Sequence, residues 1–379
     1  MNIVEIKDLS FKYPEDKKRA GFELKVPELS LARGSSLALF GASGAGKSTL
    51  LAICASLQKG FAGSVKLFGT QLSNDRCGAD GEAVSRMAIL FQDAPLFNCC
   101  VYENISIGLQ IRKTPRAEIK RRVDEMIEKL NISGIAYADA REISGGQAKR
   151  VCLARLLVLK PELLFLDEPF YSLDAINRSQ IMHELKRLSA EAAIALMLVT
   201  HDKNEALALC ENLAVMDAGA IIRYGDIKSC FNNPKSETEA RLLGRNMVFY
   251  GQVTVCSDEV AEIECVTENE SAPLTFQAAA DYKKGDRVCL MISPQDLSVS
   301  PYEGGGGKSQ ASSALNCFEG EIVSAAHYEF GMLLNISTGG GFVFQAYITS
   351  RSYESLGLGP EKKVKFFIKA TAVKSFLMP

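Results

Sequence analysis

Gly41, Gly46, Lys47 and Ser48 stand in the spacing G-x-x-x-x-G-K-S, inside the stretch ALFGASGAGKSTLL that runs from Ala38 to Leu51. Glycines let a backbone curl until its N–H groups converge on phosphate oxygens. A lysine at this point reaches the β- and γ-phosphates of a nucleotide, and the hydroxyl after it can ligate Mg²⁺. Ser43, Gly44 and Thr49 belong to the same turn and are read as part of the grip. The helix that follows would offer its positive N-terminus to the same anion.

A second set of residues lies in LLFLDEP, from Leu163 to Pro169. Asp167 suits a Mg²⁺ role, directly or through water. Glu168 is placed to polarise an attacking water. By itself, Asp-Glu after a strand is commonplace; downstream of a phosphate loop it becomes a catalytic candidate. A third set is EISGGQAKR, from Glu142 to Arg150. Ser144 suits a helix N-cap, and Gly145, Gly146 and Gln147 would carry the free N–H groups of an anion site. Two glycines in a first turn weaken a helix, so a close ligand approach is expected there.

Such groups need a scaffold that brings them together. Leu37–Gly41, Arg86–Gln92, Leu163–Pro169 and Ala193–Asp202 are each an apolar run followed by polar residues. Continuous apolar runs suit parallel strands covered on both faces, and open α/β sheets bind ligands at the carboxyl ends of such strands. Between Gln92 and Ser144 the strand signal fades. Ile119, Val123, Ile127 and Leu130 share one helical face, with Pro115 and Asn131 near the ends. A helical subdomain over about 93–150 is predicted, within a first domain of residues 1–240.

After about Arg241 short alternating segments and turn residues predict an all-β domain over 245–379. Gly251 and Gly320 are 69 residues apart, and Val288 and Val364 are 76 apart, inside similar segments. Two related halves follow, joined by a Gly-rich loop at 303–314.

The chain has 379 residues and a net charge of −2, which gives no general electrostatic reason to seek nucleic acid. Its 11 cysteines are scattered, and the opening MNIVEIKDLSFKY lacks a secretory pattern, so reduced thiols are expected. No apolar run approaches the ~20 residues of a spanning helix. Any membrane span would come from another chain.

The order of phosphate loop, Gln92, ISGGQ, LLFLDEP, Ser172–Asp174 and His201 resembles the ATP-binding cassette (ABC) family over roughly residues 3–235. The resemblance implies an α/β P-loop NTPase fold, a RecA-like core with a helical subdomain, and ATP hydrolysis with Mg²⁺. It also implies a head-to-tail pair of cassettes, with each ATP held between one loop and the other chain's signature, which in this sequence is Ser144, Gly145, Gly146 and Gln147. One loop and one signature per chain therefore imply a homodimer. By position, Tyr13 would stack on adenine. Gln92 would contact Mg²⁺ and the water, beside Ser48 and Asp167. Asp174 would link the two sites, and His201 would hold Glu168 and the γ-phosphate in register. Ile143 and Tyr171 depart from the commoner leucine and small residue.

Residues Ala346–Val373 resemble the TOBE/Mop-like, OB-like β module of importer ATPases and of small molybdate-binding proteins. Matches include Ala346, Thr349, Ser352, Gly357, Val364, Lys369 and Ala370, and Glu361 stands where the pattern has glycine. Ser352 and Lys369 are candidate oxyanion ligands. The module also occurs in a form that only dimerises, so both roles stay open. Together the resemblances imply the ATPase subunit of an importer at the cytoplasmic face of the membrane. Its partners would be integral-membrane permease subunits and, indirectly, a substrate-binding protein. Molybdate or tungstate is the first cargo and sulfate the second, with ferric iron, polyamine or sugar as alternatives. A soluble ABC ATPase of DNA repair or translation is the remote one.

Overall fold

A computed structural model describes residues 1–13, 21–76, 81–171, 173–257, 260–266, 273–279, 281–302, 315–328 and 331–378. The expected Gly-rich loop at 303–314, and Ser172, lie outside the described residues. The chain divides into two compact units, Met1–Asn232 and Asn233–Pro379.

The first unit holds β1 (Asn2–Lys12), β2 (Glu23–Ala32), β3 (Ser36–Phe40), β4 (Phe61–Leu67), β5 (Thr70–Gln71), β6 (Met87–Leu90), β7 (Leu163–Asp167), β8 (Ala195–Thr200), β9 (Asn212–Asp217) and β10 (Ala220–Asp226). They form one sheet in the order β5-β4-β1-β2-β10-β9-β3-β8-β7-β6. β3 pairs in parallel with β8 and β9, and β7 pairs in parallel with β6 and β8. Every residue of β3 and β8 is buried, as continuous apolar runs require. The sheet is nevertheless mixed: β1 runs antiparallel to β2 and β4. β1 and β2 alternate buried with exposed residues over parts of their length, so no long apolar run marks them.

Register sets the functional edge. Phe40 lies opposite Thr200, and Asp167 opposite Val199. The segments leaving β3, β7 and β8 therefore start side by side. The helices of this unit are α1 (Lys47–Cys54), α2 (Gly81–Ser85), α3 (Val101–Ile111), α4 (Arg116–Lys129), α5 (Gly145–Leu157), α6 (Ala175–Glu191), α7 (Lys203–Leu209) and α8 (Ile227–Asn232). α3, α4 and α5 pack on one another, with Val123 and Ile127 as the buried residues of α4. α1 rests on β4, β7 and β8, whereas α5 rests on β6 and α6. No helix among the described residues is long and apolar enough to cross a membrane.

The second unit begins with α9 (Glu237–Leu242). Ala240 of this helix is buried with Cys289 and Met291, which is why the break falls before it rather than after residue 240. The strands are β11 (Met247–Cys256), β12 (Ala261–Cys265), β13 (Leu274–Ala278), β14 (Arg287–Ile292), β15 (Leu297–Pro301), β16 (Asn316–Tyr328), β17 (Gly331–Ser337), β18 (Val343–Thr349), β19 (Lys363–Ile368) and β20 (Lys374–Leu377), with α10 (Ser350–Ser355) after β18. They make two five-stranded antiparallel sheets, β13-β12-β11-β14-β20 and β15-β19-β16-β17-β18. Gly251 faces Val288 in one, and Gly320 faces Val364 in the other. Each sheet takes its last strand from the other half: β15 pairs with β19, and β20 with β14. The halves share a phenylalanine core, with Phe344 centred 5.0 Å from Phe249 and 4.8 Å from Phe366. Glu361 adopts φ +66°, the left-handed conformation that glycine takes at less cost, and its N–H bonds the Ile322 carbonyl at 2.8 Å.

Candidate active site

The turn between β3 and α1 holds its shape through three glycines at positive φ. An added Cβ on Gly41 would overlap the Met216 carbonyl oxygen of β9, and one on Gly46 would come within 2.8 Å of the Phe22 ring. Gly44, at φ +83°, has no other atom within 4 Å of that position and faces open space. The turn is thus braced from behind and open in front. Gly41→Ala is expected to destabilise the chain by about 1–3 kcal/mol through strain and overpacking. A lowered midpoint in denaturant unfolding checks it.

Lys47 is 6% exposed, and its Nζ donates to the carbonyls of Gly41 and Ala42 at 2.9 and 2.8 Å. Burial pulls its pKa down, against the opposing pull of Glu168 and Asp167. Ser48 Oγ donates to Asp167 Oδ1 at 2.9 Å. Burial pushes the Asp167 carboxyl up, and the Ser48 bond moderates it. Glu168, one residue past β7, sits at φ +43° with its N–H on the Val199 carbonyl at 3.0 Å. A non-glycine residue in this region is strained, and such strain gathers at functional sites. Its Oε1 lies 3.3 Å from His201 Nδ1. An ammonium, a hydroxyl–carboxylate pair and an acid–imidazole pair therefore meet where β3, β7 and β8 end. That donor set, with an open cradle and a helix start behind it, fits a nucleotide and its divalent cation.

The other expected residues fall as follows. The Tyr13 hydroxyl bonds Thr49 Oγ1 at 2.8 Å, and its ring stands edge-on to Phe11 at 4.9 Å. Gln92 is exposed just past β6, and its carbonyl accepts Lys149 Nζ at 3.3 Å. Lys149 thereby ties the glutamine loop to α5, a link the sequence did not announce. Ser144 and Gln147 form a capping box, with Ser144 N–H on Gln147 Oε1 at 2.9 Å and Gln147 N–H on Ser144 Oγ at 3.3 Å. Gly145 opens to solvent, but Gly146 is buried against Asn177, whose Cγ would be 2.9 Å from an added Cβ. At Gly146 a side chain of the same molecule, Asn177, already occupies the space that a Cβ would need. Asp174 caps α6 through the Ile176 and Asn177 N–H groups. Its carboxyl is held low first by the backbone bond from Asn177.

Buried Asn104 shapes the segment after Gln92. It accepts the Phe97 N–H at 2.8 Å and donates to the carbonyls of Phe97, Cys99 and Cys100. Phe97 stays half exposed beneath the Arg155 guanidinium, 5.3 Å away.

Ser352 and Lys369 are not joined by any hydrogen bond among the described residues. Ser352 Oγ bonds Thr349 Oγ1 at 2.8 Å at the start of α10. Lys369 is exposed and precedes the turn Ala370–Ala372, which packs on β13 of the other sheet. The strand exchange puts that turn with β13, while α10 packs on β17 and β18.

A phosphate loop braced by the sheet, an Asp-Glu pair at the end of the next strand but one, a His just past the strand between, and a Ser-Gly-Gly-Gln capped helix together define an ATPase of the ATP-binding cassette class. The comparisons with known proteins agree. The family model described as ABC transporter matches residues 24–171, and the TOBE domain model matches 312–374. The molybdate/tungstate import ATP-binding protein WtpC of Pyrococcus horikoshii is 30% identical over 99% of this chain and 100% of its own. The spermidine/putrescine import ATP-binding protein PotA of Borreliella afzelii is 30% identical over 86% of this chain and 88% of its own. Among solved structures, cbiO1 from Clostridium perfringens, part of the ABC transporter complex cbiONQ, matches with TM-score 0.55 at 30% identity, over 61% of this chain and 91% of that one. The chain belongs to the ABC transporter family of ATP-binding proteins and hydrolyses ATP.

Proposed function

We propose that two copies of this chain close on ATP and drive a separate permease that imports an inorganic oxyanion, molybdate or tungstate first and sulfate second. The ATP part rests on the convergence of Lys47, the Ser48–Asp167 pair and the Glu168–His201 pair at one sheet edge. The cargo part rests on similarity to WtpC along the whole of both chains, β unit included.

Lys47 and the loop N–H groups of residues 43–49 bind the phosphates, with Tyr13 against the base. Ser48, Asp167 and Gln92 would hold Mg²⁺, which supplies charge neutralisation at the phosphates when bound. Glu168 takes the proton of the attacking water, and His201 orients Glu168. Ser144, Gly145, Gly146 and Gln147 serve the partner copy's nucleotide, because Ser144 and Gly145 face solvent. Asp174 stands at the junction of the two sites. Closure has direction because ATP binds the closed pair better than the open one.

The permease docks on the segment that Asn104 holds, where Phe97 is 51% exposed. The chain thus works at the cytoplasmic face of the membrane, with a substrate-binding protein as an indirect partner and no nucleic acid. The likeness to PotA favours a second reading, a polyamine cargo.

The β unit senses the oxyanion near Ser352 or Lys369 and regulates the ATPase. Thermal unfolding of the full chain with molybdate, tungstate, sulfate, phosphate or spermidine tests this. An oxyanion at 100 times its Kd is expected to add about 2.7 kcal/mol of stability. No shift with any oxyanion contradicts sensing, and a shift with spermidine alone favours the polyamine reading.

A further inference from the structure

The first turn of α6 makes contacts that none of these roles uses. Asn177 fills the space beside Gly146, with its Cγ and Oδ1 both 2.9 Å from where a Cβ would stand. The same carboxamide donates to Asp174 Oδ2 at 2.6 Å. One residue on, Arg178 donates to Asp202 at 3.0 Å, directly after His201, which meets Glu168. Farther along the two helices, Arg150 of α5 donates to Gln180 of α6 at 2.8 Å and pairs with Glu184 at 3.5 Å. One helical turn therefore touches both the catalytic edge of its own loop and the signature turn. The polar contacts between α5 and α6 are thus the two made by Arg150, beside the close approach of Asn177 to Gly146.

We infer that Asn177 is a positioning residue that, with Arg178 beside it bonded to Asp202, ties the signature turn to the His201–Glu168 edge of the same chain, so that the state of one ATP site is felt at the other. The inference rests on the shared-site reading given under the proposed function. Charge-assisted bonding to Asp174 fixes one side of the carboxamide. On the other side Gly146 has no side chain that could yield. Close-packed contacts of this kind shift between discrete arrangements rather than stretch. A movement of the α6 turn is then passed to Gly146, and the reverse. Adding a methyl at Gly146 overfills the space, and removing the carboxamide empties it. The two changes oppose one another, so their effects should couple when combined.

The test uses the full chain. In a Glu168→Gln background, ATP-driven association is followed by light scattering. Gly146→Ala is expected to weaken association about tenfold, and adding Asn177→Ala is expected to recover most of that loss. With Glu168 intact, Asn177→Ala is expected to keep nucleotide affinity while the Hill coefficient of hydrolysis falls toward about 1, from a ceiling of about 2 for two sites. Asn177→Leu fills the space without bonding Asp174. It serves as the second variant should the alanine chain misfold, with the same fall expected. A double variant no better than Gly146→Ala alone, or an unchanged Hill coefficient, overturns the inference. If the Glu168→Gln parent does not associate with ATP, the shared-site reading itself fails, which is a separate result.

Discussion

Replacing Glu168 with glutamine is expected to leave ATP binding intact and to lower turnover by about 100-fold or more, the scale of lost general-base catalysis. Glutamine keeps the shape and can still meet His201, whose Nδ1 lies 3.3 Å from Oε1. The backbone geometry is independent of the side chain, since the Glu168 N–H bonds Val199 and φ is already +43°. Only the ability to accept a proton is removed. A 100-fold loss corresponds to about 2.7 kcal/mol of barrier. Phosphate release measured beside nucleotide affinity separates the two effects. Near-normal turnover would show that another group takes the proton.

Lys47→Ala is expected to fail one step earlier, at binding. The ammonium is nearly buried and bonded to two loop carbonyls; desolvation lowers its pKa, and Glu168 and Asp167 only partly oppose that. Without it, the incoming phosphates meet two carboxylates and no lysine. Truncating one partner of a buried, hydrogen-bonded charge contact to a ligand costs about 2–5 kcal/mol of binding. The middle of that range lowers nucleotide affinity by about 100-fold or more, at about 1.4 kcal/mol per tenfold. Titration with a fluorescent nucleotide reads the affinity. Binding within a few-fold of the parent chain would mean that the loop N–H groups hold the phosphates unaided.

The parallel half of the first sheet was legible because β3, β6, β7 and β8 are short apolar runs with polar residues at their carboxyl ends, and sheet topology then fixes where those ends meet. The antiparallel strands β1 and β2 were not singled out, since one-sided burial breaks their apolar pattern. Spacing located the phosphate loop and made the Asp-Glu pair a candidate, whereas the signature role of Ser144–Gln147 came from the family resemblance. Lys149, Asn104 and Asn177 left no such trace. Each acts on a backbone carbonyl or on a glycine that only the fold brings near. Similar segments around Gly251 and Gly320 could be matched by eye. The exchange of β15 and β20 could not, because strand order is a property of pairing. The two candidate oxyanion residues have different neighbours: Ser352 lies on α10, which packs on β17 and β18, whereas Lys369 precedes a turn that packs on β13.

The claim on which the account turns is that this chain carries half of each ATP site. Light scattering of the Glu168→Gln full chain, with and without Mg-ATP, tests it most directly. ATP is expected to double the mass, each doubled particle retaining two nucleotides, and Ser144→Arg in the same background is expected to abolish the doubling. A particle whose mass does not change at saturating ATP, with nucleotide bound, would contradict it.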